Sequence, residues 1–161
     1  MKKASRKFIE LRKPFCIKVP SVVDVKFVGG GLPNDCAINT LNITENGNNT
    51  VHSVTGWLVH PYNSINKTTQ IIQHWWNKET DGGHFDTTPL LVENCEYIMD
   101  LDLLKFVIEN FDDIKSNVGT SVVLHDDGLI EGYESDPSVV FFGAKKIPLK
   151  SLSNRNIYGL D

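Results

Sequence analysis

Apolar and polar positions along this chain alternate over several short stretches and follow a helical spacing over fewer. From 15 to 28 apolar and β-branched residues dominate, with Ile17, Val19, Val22, Val23, Val25 and Phe27 among them. Pro20 interrupts the run, which predicts two short strands or an edge strand. Val51–Val59 (VHSVTGWLV) and 69–76 (TQIIQHWW) read as strands, and 83–87 as another extended stretch after a polar turn. Tyr97, Ile98 and Met99 suggest a short strand, and Ser121–His125 and 138–142 two more.

Two helices are expected, one from its capping residues and one from its apolar spacing. The Gly29-Gly30-Gly31 run breaks the extended pattern, and Pro33, Asn34 and Asp35 follow it. Asn and Asp accept hydrogen bonds from the first free N–H groups of a helix. A helix is therefore expected from Cys36 to about 43, closed by the turn Asn46-Gly47-Asn48-Asn49. A second begins at Leu101, with Leu104, Phe106 or Val107, Ile108 and Phe111 at helical spacing. Asp100 and Asp102 stand where the helix dipole favours negative charge, and Gly119 would close the helix. The mixture predicts an α+β fold: a mostly antiparallel sheet with one helix carrying a cysteine at its N-terminus. Neither a repeat nor a linker divides residues 1–161, which are expected to form a single domain with a basic lead-in at 1–13.

Composition narrows the function classes. With 161 residues, 40% of them hydrophobic and 22% charged, the chain can bury one core and is not of disordered composition. The net charge is −4. Basic residues gather at the start (Lys2, Lys3, Arg6, Lys7, Arg12, Lys13) and read as a solvated terminal arm. The remainder is acidic, which argues against a nucleic-acid partner. No apolar h-region follows the basic start, and the longest apolar run, 139–142, is strand-sized, so neither a signal peptide nor a membrane partner is expected. Cys16, Cys36 and Cys95 are odd in number and widely spaced, which favours free thiols in a reducing, cytoplasmic setting. The sequons at Asn42, Asn48 and Asn66 are then accidental, and the asparagine-rich composition is compatible with a bacterial or phage protein.

Three residues carry the chemistry. Cys36 stands at an expected helix start, where free N–H groups stabilise a thiolate. His74 and Asp86 lie on two expected strands. If residues 78–82 form the loop, with Gly82 left-handed, Asn77 pairs with Gly83, Trp76 with His84 and His74 with Asp86. Directly opposed side chains are close enough for a carboxylate to orient an imidazole. The oriented imidazole can then take a thiol proton and return it to a leaving amine. A two-residue loop at Asp81-Gly82 would break the pairing. Trp57, Trp75 and Trp76 are candidates for the walls of a substrate cleft.

The segments DCAIN (35–39), QHWWN (73–77) and HFDTTP (84–89) resemble the transglutaminase-like branch of the papain-like thiol enzymes. The resemblance covers about residues 30 to 90. It implies Cys36 as nucleophile, His74 as general base and acid, and Asp86 as orienting group, on a helix packed against an antiparallel sheet. The chain departs from the family in being short and in having no upstream glutamine as an oxyanion donor. The Cys36 main-chain N–H and the Trp57 indole are the candidates for that task.

The expected function is thus a thiol-dependent amide hydrolase or acyl transferase (a peptidase, deamidase or transglutaminase-like enzyme) on a protein or peptide substrate, with no cofactor. His84 is the alternative base. Cys36, His74, His84 and Asp86 are also zinc-ligand types, but no CxxC, HxxxH or HExxH spacing joins them, so no metal site is expected. Gly29–Gly31 lacks the lysine and hydroxyl of a phosphate loop, and Asp126-Asp127-Gly128 lacks the acidic spacing of a calcium loop. A non-catalytic protein-binding or inhibitor module on the same scaffold is the competing reading.

Overall fold

A computed structural model describes residues 1–47, 49–110, 121–128, 130–133 and 145–147. Three α-helices are present among them: α1 (Lys3–Arg12), α2 (Cys36–Asn46) and α3 (Leu101–Asn110). The strands are β1 (Ser21–Val23), β2 (Lys26–Phe27), β3 (Val51–Val59), β4 (Thr68–Glu79), β5 (His84–Asp86), β6 (Glu96–Met99), β7 (Ser121–His125), β8 (Ile130–Tyr133) and β9 (Lys145–Ile147). They join in one sheet in the order β1-β6-β3-β4-β7-β8-β9, with β5 on β4 and β2 on β5. Pairing is antiparallel except at β2–β5 and β8–β9. The α+β class and the mostly antiparallel sheet are as the sequence predicts. The expected strand at 138–142 and the expected helix end at Gly119 lie outside the described residues.

Strand alternation sends side chains to two different environments. One face presents Trp57, Val59, Ile71, Trp75 and Ile98, which pack with Phe8 of α1, Ala37 of α2 and Leu103 of α3. The other presents Val54, Leu58, Trp76 and Tyr97, against which Leu90 and Cys95 pack. The helices therefore cover the first face, and part of the segment between β5 and β6 covers the second. Gly56 makes the close fit of β3 possible. A Cβ there would stand 2.0 Å from the Ile98 carbonyl oxygen and 2.8 Å from the Trp76 ring.

The basic start is not a solvated arm. Residues 3–12 form α1, and both Phe8 and Arg12 are fully buried. Phe8 meets the edge of Trp57 with ring centroids 5.6 Å apart. The Arg12 guanidinium donates from Nε to Asp100 Oδ2 at 2.8 Å and from Nη1 to the Phe15 carbonyl at 2.8 Å. Charge alone hides this, because the apolar stripe of α1 is narrow and the carboxylate that pairs with Arg12 lies 88 residues away in sequence. No helix among the described residues is long and apolar enough to cross a membrane.

Candidate active site

Central strand β4 sets the geometry. On one side it pairs along its length with β3. On the other, β7 covers residues 68–72 and β5 covers 77 and 78. Among the described residues, 73–76 are thus left without a strand partner on this side, at a break between β7 and β5. Main-chain groups of odd-numbered β4 residues point to that side, as Glu79 does in donating to Gly83 O. Helix α2 crosses the helix-covered face, tied there by Asn77 Nδ2, which donates to the Thr40 carbonyl at 3.0 Å. Its first residue, Cys36, is brought to the break, where the main-chain N–H of Trp75 acts on its sulfur.

The glycine run holds this start in place. Gly31 N–H donates to Thr87 O at 2.9 Å. Asn39, one turn into α2, accepts from Leu32 N–H at 2.9 Å and donates to Leu32 O and to Thr88 Oγ1. A Cβ on Gly31 would lie 2.6 Å from Asn39 Nδ2, so only glycine admits this clamp. Asp35 occupies the expected cap position but makes no side-chain cap bond, and Asn34 is left-handed at φ 63°. The helix continues to Asn46, a turn beyond the expected end.

His74 and Asp86 meet as expected, though in a different register. Asn77 pairs with Phe85 and Lys78 with His84, so the connection is a three-residue loop, 80–82, rather than 78–82. Gly82 takes the left-handed position at φ 100°, as such loops require. The slip relative to the expected pairing is two residues. An even slip keeps every side chain on its face, and His74 reaches Asp86 diagonally instead of directly. Its Nε2 lies 2.6 Å from Asp86 Oδ2. That bond uses Nε2, so Nδ1 is the atom left for the Cys36 thiol, which lies within hydrogen-bonding reach.

The electrostatics favour an ion pair. Burial pushes the Cys36 thiol up, but the His74 imidazole and the Trp75 N–H outweigh it and hold the thiol below its ordinary value. Burial pulls His74 down, yet its bonds to Asp86 and Cys36 raise it to about 9. Asp86, 1% exposed, would be raised by burial. Hydrogen bonds from His74, Thr88 and Tyr97 hold it below the usual carboxylate range instead. The Thr88 N–H donates to Oδ1 at 2.8 Å and the Tyr97 hydroxyl to Oδ2 at 2.7 Å. Cys16 and Cys95 differ in kind: burial raises both thiols, Cys95 to about 11.

The tryptophans are not cleft walls. Trp57 is fully buried on the helix-covered face, where its indole donates to Asp100 Oδ2 at 2.9 Å. It is therefore no oxyanion donor. Trp75 packs in the main core. Trp76 is also buried; it stacks on His74 with centroids 6.5 Å apart and donates to His84 Nδ1 at 3.0 Å. His84 is thereby occupied by Trp76, whereas His74 holds both Asp86 and the thiol. Tyr97, Thr88, Asn39 and the Trp75 N–H were not legible as site groups in the sequence. Tyr97 shows there only as an alternating strand residue, and its proximity depends on the long-range pairing of β6 with β3.

No protein-family model, curated protein or solved structure matches this chain.

Proposed function

We propose that this protein is a thiol enzyme acting on amide bonds of a protein or peptide, as a hydrolase or an acyl transferase. The observation that carries the reading is the row Cys36–His74–Asp86, in which the carboxylate holds the imidazole through Nε2 and the same ring bonds the thiol. The thiolate attacks the carbonyl carbon and forms a C–S bond. The oxygen gains negative charge beside the Cys36 N–H at the start of α2, which no side-chain cap occupies. The C–N bond then breaks, and the amine leaves with the proton from Nδ1. Water or an acceptor amine attacks the thioester, gives its proton to Nδ1 and releases the thiolate. Support for a transglutaminase-like scaffold comes from the same arrangement: a helix opening on cysteine beside antiparallel strands bearing histidine and aspartate. Three free thiols suit a reducing, cytoplasmic setting.

At pH 6 to 7, iodoacetamide should label one thiol quickly, and Cys36→Ala should abolish that labelling while Cys16→Ala and Cys95→Ala leave it intact. An amide-based thiol probe should behave in the same way. Incubation with candidate protein partners then separates turnover, seen as a mass change of about one dalton on deamidation or loss at an amide, from stable co-elution without modification. Equal labelling in all three variants would exclude the thiol mechanism.

A further inference from the structure

The Asp86 carboxylate does not serve His74 alone. Its Oδ2 accepts from both His74 Nε2 and the Tyr97 hydroxyl, at 2.6 and 2.7 Å. Tyr97 comes from β6, outside the hairpin that carries the other two, and is placed by its pairing with Leu58 of β3 and Val23 of β1. It is buried, with its ring edge-on to His74 at 5.8 Å and to Trp76 at 5.4 Å. We propose that Tyr97 is a positioning residue of the thiol site, whose hydroxyl competes with His74 for one carboxylate oxygen and so sets how firmly Asp86 grips the imidazole. This rests on the thiol-enzyme reading for its catalytic meaning.

The physics gives the direction. A donor on Oδ2 draws charge away from the oxygen that His74 contacts, which weakens the attraction for an imidazolium. Burial and Asp86 both push the Tyr97 phenol up, so it stays protonated and remains a donor across the working range. The other titratable groups facing His74, among the described residues, are Cys36 of α2, Asp86 of β5 and His60 just after β3. Those facing Tyr97, among the described residues, are His74, Asp86, Cys95 and Cys36.

Tyr97→Phe keeps the ring and removes the donor. The His74 titration, followed by NMR of the ring nitrogens, should move to higher pH by roughly half to one unit, the scale of one ordinary net hydrogen bond. Placing 3-fluorotyrosine at 97 makes the phenol a stronger donor and should move the same titration to lower pH. A melting-temperature loss with both titrations unmoved would overturn the proposal, as would shifts of the same sign in both proteins. If Tyr97→Phe fails to fold, the fluorotyrosine protein decides alone. Neither measurement needs a substrate. Opposite shifts in a protein that turns over no amide would therefore keep the Tyr97 assignment and sink only the enzymatic reading.

Discussion

Asp86→Asn tests the site most directly, because it changes charge with almost no change in shape. A carboxylate accepts at both oxygens, and Asp86 uses both, with His74 and Tyr97 on Oδ2 and the Thr88 N–H on Oδ1. An amide accepts at only one position. With its oxygen at the Oδ2 place, its NH2 faces the Thr88 N–H. Turned the other way, its NH2 faces His74 and Tyr97. The imidazole must then carry its proton on Nδ1, where it can no longer accept one from the thiol. Either arrangement buries a donor without an acceptor, at about 1–3 kcal/mol. The lost charge matters more for reactivity. His74 is held at about 9 against an ordinary 6.5, a gap worth about 3 kcal/mol, and Asp86 heads the groups that raise it against burial. Losing that share should lower the imidazolium by about one unit or more, and the thiol, which His74 holds down more strongly than Asp86 pushes it up, should rise. Iodoacetamide should then alkylate Cys36 at pH 6 roughly 10- to 100-fold more slowly, with far-UV circular dichroism unchanged. Wild-type alkylation at pH 6 in a folded Asp86→Asn protein would refute the reasoning.

Two further outcomes follow from the same geometry. Arg12→Ala strips the fully buried Asp100 carboxylate of its cation and should destabilise the protein by about 3–5 kcal/mol in urea unfolding, the usual cost of breaking such a pair; a loss below 1 kcal/mol would contradict the buried placement. The stability that wild type has over Cys36→Ala should depend on pH in a definite way. The raised His74 contributes fully below pH 6.5 and fades towards 9, while the lowered Cys36 contributes fully above 9.0 and fades as pH falls. The two slopes oppose each other below 9 where both groups titrate, so the advantage should change less with pH than either group alone would make it; thermal melts of both proteins at pH 5 and 8 check it.

How much of this the sequence disclosed depends on the range of each interaction. Val51–Val59 is rich in β-branched and apolar residues and lies between two turn-like stretches, and the observed strand has those bounds. The pairing of His74 with Asp86 was legible because side-chain direction in a strand depends only on odd or even count. The expected register was two residues out, yet Asp86 stayed on the correct face. Trp57 shows the opposite case. Its indole could be read as a donor for a substrate oxygen, but its real acceptor is Asp100, and only the folded sheet brings α3 to that face. Arg12 was hidden for the same reason, since nothing near it in sequence announces a buried carboxylate partner. The break along β4 among the described residues was also illegible, because it depends on which β4 residues β5 and β7 pair with.

Helix α1 has a consequence for the order in which the protein can form. The Lys2 N–H and the Ser5 hydroxyl donate to Glu96, and Arg12 is satisfied by Asp100, so the helix docks on residues translated some ninety positions after it. At synthesis rates of about 5–20 residues per second, its apolar side waits uncovered for several seconds. During that interval Tyr97, which lies between those two acids, has not yet been made. The thiol site therefore cannot be completed before residue 97 has been made, and release of a product truncated ahead of it would leave Cys36 without its ordered neighbours.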